Sequence, residues 1–240
     1  MRYGYYTGGM YYDWTIILVL IGVAICAIAS ARVNIAFNKY NNVRILSGLT
    51  GMEAARRVLD MAGLDYVRIE RVSGKLSDHY DPRDKVLRLS ADVYSSASVA
   101  AVSVAAHEAG HAIQDATNYG PLGLRSAAVP VARFGSMVYW PLVIIGLITG
   151  YMGVAQIGVL LFAAVVLFQL ITLPVEFNAS SRALQILESS GIYSTDEELR
   201  GGRAVLKAAA LTYVASLLSS ILQLLRLVLI TGGGDRRRRD

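Results

Sequence analysis

His107-Glu108-Ala109-Gly110-His111 sets two of the chain's three histidines four residues apart, with a glutamate directly after the first. On an α-helix, residues at i and i+4 share a face, so the two imidazoles point the same way, one turn apart. Imidazole nitrogens so arranged can both reach one Zn²⁺ at about 2.0–2.1 Å. Glu108 then stands beside the metal, where a carboxylate can accept a proton from a water that the metal polarises. The pattern offers His107 and His111 as ligands and Glu108 as general base for metal-assisted hydrolysis of a peptide bond. One zinc ion per chain is the expected cofactor.

A catalytic zinc takes three protein ligands and leaves a position for water. The extended motif with a further histidine six residues on is absent, because Thr117 stands there and Gln114 replaces the preceding glycine. The remaining histidine is His79, in a polar segment with Asp78, Tyr80 and Asp81. The other candidate is a glutamate on a later helix, and Glu176 suits that role, just past the end of an apolar run. Asp78, Asp81 and Glu188 are weaker candidates. His79 and Tyr80 are also candidate donors to a developing oxyanion.

The elements that must position these residues include membrane helices. The chain is 54% hydrophobic with mean hydropathy +0.45, and only 17% of it is charged. A single cysteine, Cys26, rules out an intramolecular disulfide and a multi-thiolate zinc site. No basic stripe interleaved with aromatics and no zinc-finger spacing is present, so nucleic acid is not an expected partner.

Residues 15–30 form an uncharged run that can span a bilayer once flanking residues join it. Only Arg2 and Asp13 precede it, whereas Arg32, Lys39 and Arg44 follow, which favours an uncleaved anchor over a signal peptide. Residues 135–150 and 153–173 are two more uncharged runs, expected as a tight transmembrane hairpin. Apart from Arg2, Arg226 and the C-terminal tail, every Lys and Arg falls in 32–133 or 182–207. The positive-inside rule puts those segments in the cytoplasm. In 208–230, Thr212, Ser216, Ser219, Ser220, Gln223 and Arg226 recur at helical spacing. They make a polar stripe along one face. A span would put the arginines at 236–239 outside, against the rule. A helix lying in the interface or re-entering keeps the basic tail inside near anionic headgroups, and this second arrangement is favoured.

Between anchor and hairpin, Thr50-Gly51-Met52-Glu53 is a capping box opening a helix through Met61, which Gly63 can end. Residues 66–72 and 85–90 alternate like strands of a small hairpin or a two- to three-stranded sheet. The second of these is expected as an edge to which an extended substrate could add. Ser95 or Ser96 is expected to cap a long helix running to about Asn118, in which Ala109 and Gly110 let another element come close. A later helix should break at Gly191, with a new start capped by Ser194 or Thr195.

The expected fold class is a mainly α membrane protein with three to four membrane-embedded helices and a small α+β, zincin-like cytoplasmic catalytic part. Its segments are an anchor (1–32), a catalytic part (33–128), a helical hairpin (129–175), cytoplasmic helices with the third ligand (176–207), and an amphipathic membrane-associated helix with a basic tail (208–240).

The strings LSDHYDPRDKVLRLS, VAAHEAGHAIQDA and LPVEFNASSRA resemble the bacterial membrane zinc metallopeptidase family typified by YugP. The resemblance covers most of the chain. That family is similar to the gluzincin group with the HtpX-like and CAAX prenyl proteases, in which a glutamate in E-x-x-A-D is the third ligand. On that pattern Glu176 matches the ligand and Ala179 the alanine, while Ser180 stands where the aspartate is usual. The resemblance implies a membrane-embedded zinc endopeptidase of a bacterial plasma membrane, acting on peptides or membrane proteins. Some other acid, or Ser180 itself, must then orient a ligand histidine. Two rivals are a silent scaffold with a structural zinc and a metal transporter. The scaffold has no need of Glu108, and the transporter would need ionisable residues that the first three spans lack.

Overall fold

The computed structural model describes residues 6–7, 10–11, 13–74 and 77–232, so the arginine tail at 236–239 lies outside the described residues. The described chain runs β1 (Tyr6–Thr7), β2 (Met10–Tyr11), α1 (Ile16–Asn41), α2 (Gly51–Met61), β3 (Arg68–Val72), β4 (His79–Asp81) and β5 (Val86–Ser90). It continues through α3 (Ala91–Ser95), α4 (Val99–Ala116), α5 (Gly120–Thr149), α6 (Met152–Ser189) and α7 (Asp196–Gly232). The chain divides into two compact units, one of residues 1–28, 125–171 and 213–240, the other of 29–124 and 172–212. It is a mainly α membrane protein: α1, α5, α6 and α7 are each long and apolar enough to cross a bilayer.

In the first unit α5 and α6 form the expected hairpin, turning at Gly150 with φ +76°. A Cβ on Gly146 would come within 2.9 Å of the Ala155 backbone, so the two helices meet closely there. Along α1 and α7, a Cβ on Gly22 would sit 2.6 Å from Ser219 Oγ, and Cys26 Sγ donates to Ala215 O at 3.7 Å. Arg226 Nη2 lies 2.7 Å from Asp13 Oδ2. These pairings run in opposite chain directions, so α7 packs antiparallel to α1. α7 is long and apolar enough to span, the alternative to a helix lying in the interface. The polar stripe of 208–230 supplies Ser219 and Arg226 to neighbours within the unit, while Leu218, Ile221, Leu225 and Val228 are exposed. A stripe with that spacing can serve a neighbouring helix as readily as water.

The second unit holds the sheet and the motif helix. Thr50 caps α2 in a two-way box with Glu53, and one face of the helix (Ala54, Ala55, Val58, Leu59) is fully buried along α4. The sheet order is β3-β5-β4, with β3 parallel and β4 antiparallel to β5. The segment expected as an edge is therefore the central strand, and its Val86, Leu87 and Leu89 are fully buried. β4, only three residues long, is an outer strand.

The start of the motif helix also differs from expectation. Residues 96–98 are extended because the backbones of Ile45, Gly51 and Val43 bond to Ala97, Ser96 and Val99, respectively. α3 therefore ends first, and Ser98 caps α4 by accepting from Ala101 N at 3.2 Å. Gly191 (φ +69°) follows α6, and Thr195 with Glu198 forms the box that opens α7.

Candidate metal centre

Every group described below belongs to the second unit. α4 brings His107 and His111 onto one face, their ring centroids 4.8 Å apart and nearly perpendicular. α6 approaches that face because Gly110 has no side chain: a Cβ there would lie 2.8 Å from Ala179 O. The packed face of α6 steps through Thr172, Val175, Glu176, Ala179 and Ala183 at helical spacing, all buried. Glu176 is thus delivered to the histidines, with its Oε2 3.3 Å from His107 Nε2 and 3.7 Å from His111 Nε2.

One ligand atom from each of His107, His111 and Glu176 lies within 4.8 Å of the others. Zinc bonds of about 2.0–2.1 Å in a tetrahedron set ligand atoms about 3.3 Å apart. Two nitrogens and one carboxylate oxygen at these spacings fit zinc. They do not suit calcium or magnesium, which call for oxygen donors.

The outer nitrogen of each imidazole is also engaged. Ser180 Oγ lies 3.1 Å from His107 Nδ1, and Gln114 Oε1 lies 3.0 Å from His111 Nδ1. Both rings therefore turn Nε2 towards Glu176. The Ser180 hydroxyl thus holds one ring and the Gln114 amide the other.

Glu108 is partly buried, and Tyr80 N donates to its Oε2 at 3.2 Å. Burial pushes its carboxyl above the usual glutamate range, against the opposing pull of His107 and His111. For His111, burial disfavours the charged ring, but the carboxylates of Glu176 and Glu108 outweigh it and raise its proton affinity. A field that favours a proton there also favours a metal cation.

β4 is latched over α4 by Asp115, one turn beyond His111. Its Oδ2 accepts from Tyr80 Oη at 2.7 Å and from Lys85 Nζ at 2.6 Å. Burial, then this carboxylate, holds the Tyr80 phenol well above its ordinary pKa, so it stays a protonated donor. Asp78 fixes the approach to β4 by accepting from Ser90 N at 2.7 Å.

The expected residues thus divide. His107, His111, Glu176 and Glu108 come together. His79 does not join the ligand cluster: it is exposed, and its Nδ1 lies 2.7 Å from Ser77 O. It pairs with Arg88 across the strands, so alternation puts it on the sheet face opposite Tyr80 and the buried Leu87. Asp78 is bound to Ser90 and Asp81 to Arg88, and Glu188 is exposed. Gln114 was visible in the sequence only as the residue replacing a glycine. Its signal was position, one turn after a ligand and on the same side of the helix. Asp115 carried no signal beyond its charge.

A membrane protein in which two histidines and one carboxylate are grouped so that they could hold a metal ion is the class that fold and site define. Within that class, the chain belongs to the family described as "Putative neutral zinc metallopeptidase", whose model matches residues 15–232. It is 49% identical over 215 residues to the "Putative membrane protease YugP" of Bacillus subtilis (strain 168), covering 90% of this chain and 95% of the relative. No solved structure matches it.

Proposed function

We propose that the protein is a membrane-embedded zinc endopeptidase of the gluzincin type, holding one zinc per chain, with its site facing the cytoplasm of a bacterial cell. The observation that carries this reading is the convergence of His107, His111 and Glu176 within 4.8 Å beside the Glu108 carboxylate. A zinc ion held there supplies Lewis acidity, polarising a scissile carbonyl and lowering the pKa of a water. Glu108 accepts the proton from the attacking water and returns it to the leaving nitrogen. Its raised pKa suits a group that must both take and release that proton.

An extended peptide is accommodated along β4. The Tyr80 N–H is turned away from β5 and towards Glu108, so the Tyr80 main chain forms the outer edge nearest the general base. The side chains of His79 and Tyr80 take no part, because one faces away and the other is committed to Asp115. The basic residues in 32–133 and 182–207 support the cytoplasmic orientation.

The test starts with zinc content. Detergent-purified protein should hold about one zinc per chain, and the His111→Ala variant should hold none. Glu108→Gln should keep the metal and lose cleavage of a labelled unfolded protein such as casein. Equal cleavage by both proteins would remove Glu108 from the mechanism. Zinc without cleavage in either would leave a structural site on a membrane scaffold.

A further inference from the structure

The hydroxyl that partners His107 can donate or accept, so it serves either tautomer of that ring. The partner of His111 has no such freedom. Gln114 is fully buried, and its Nε2 donates to Val175 O at 2.8 Å and to Asn178 Oδ1 at 3.0 Å. A main-chain carbonyl can only accept, which fixes the direction of the Gln114 amide. The direction of Asn178 is fixed from the other side. Arg182 Nε, which can only donate, reaches the same Asn178 Oδ1 at 2.8 Å. The Arg182 guanidinium is flanked in turn by the Tyr119 ring, 6.0 Å from its centroid. With both amides set, Gln114 can present only its oxygen to His111 Nδ1.

We propose that Arg182, Asn178 and Gln114 form a one-way hydrogen-bond chain that locks His111 in the tautomer with its proton on Nδ1, leaving Nε2 to bind the metal. Gln114 and Arg182 are then positioning residues for the metal site. The chain also ties the α6 turn that carries Glu176 to the ring of His111, so two ligands share one buried amide. This rests on the zinc-site reading above and adds to it a direction of hydrogen bonding that packing alone does not demand.

The direction gives the test its sign. Gln114→Glu keeps an acceptor for His111 but sets a carboxylate oxygen against Val175 O and Asn178 Oδ1. Zinc affinity, measured by chelator competition on the full-length protein in detergent, should fall more than tenfold. The cobalt-substituted variant should show an altered visible spectrum. Arg182→Met alone should lower affinity, but less than Gln114→Glu does, because Val175 O still holds the Gln114 amide. In the double variant Asn178 is free to turn its amide nitrogen towards the introduced carboxylate, so part of the lost affinity should return, Val175 O remaining opposed.

Losses that simply add in the double variant, or a Gln114→Glu protein that binds zinc like wild type, would overturn the chain. If Gln114→Glu does not fold, the wild type can be read directly. With only three histidines, ¹⁵N-histidine-labelled, zinc-loaded protein can be assigned by His→Ala variants. A protonated Nδ1 and a metal-bound Nε2 on His111 support the proposal, and metal on Nδ1 refutes it. Failure of wild-type protein to bind zinc would instead refute the zinc-site reading.

Discussion

Two helix contacts in this protein are built alike and do different things. In one unit α1 meets α7 where a Cβ on Gly22 would strike Ser219. In the other, α4 meets α6 where a Cβ on Gly110 would strike Ala179. Each close approach brings ionised or ionisable side chains near the helices' packed faces. Asp13 and Arg226 have opposite charges and pair at 2.7 Å. His107, His111 and Glu176 converge so that one ligand atom from each lies within 4.8 Å of the others. Close packing with a balanced pair makes a staple. The same packing around like-natured donors makes a place for a cation.

Four changes would break or sharpen that contrast. The largest effect is expected for Gly110→Val, whose side chain must displace the α6 backbone. Zinc should be lost from purified protein, and thermal stability should fall by about 1–3 kcal/mol or more. Retention of zinc at wild-type affinity would mean that the approach at Gly110 is not what delivers Glu176. Next comes Ser180→Ala, which leaves His107 without its outer partner and should weaken zinc about 10–100-fold in chelator competition.

Smaller still is Gly22→Ala. There the obstructing atom is a rotatable hydroxyl, and the substitution should lower the melting temperature by a few degrees, on the order of 1 kcal/mol, with zinc content unchanged. A loss of metal here would dissolve the distinction between the two contacts.

The smallest effect concerns Glu108 in metal-free protein. Burial raises its folded pKa above the ordinary 4.5, so its contribution to stability is fully present below that value. The contribution is lost as pH rises through the folded pKa. Glu108→Gln should therefore melt at a higher temperature than wild type at pH 7.5 and match it near pH 4. An offset that does not change with pH would show that the charge of Glu108 is not its cause.

The site was more legible in the sequence than the frame that holds it. Four-residue spacing fixes His107 and His111 on one face whatever surrounds them, and the capping box at Thr50 is equally local. Pairing is not local. Alternation in 85–90 reports which side chains share a face, but not that β5 has a neighbour on each side. β4 is too short to show any period. The start of α4 is set by bonds from Val43, Ile45 and Gly51, over forty residues upstream, and serine propensity alone pointed to Ser95 or Ser96. The stripe in α7 records a polar face without saying what it faces, so spacing alone does not choose between a span and a helix in the interface. Gln114 escaped notice for a related reason, since its acceptors arrive on α6.

The serine at position 180 has an effect on charge balance. Neutral His107 and His111 bring no charge to the centre, while Glu176 and Glu108, when ionised, bring one negative charge each. Ser180 and Gln114 contribute hydrogen bonds without adding to that sum. A divalent cation with these groups therefore makes a neutral assembly. An aspartate at 180 would leave a surplus negative charge needing its own counter-ion or solvent. The hydroxyl holds the His107 ring without adding a charge that would need one.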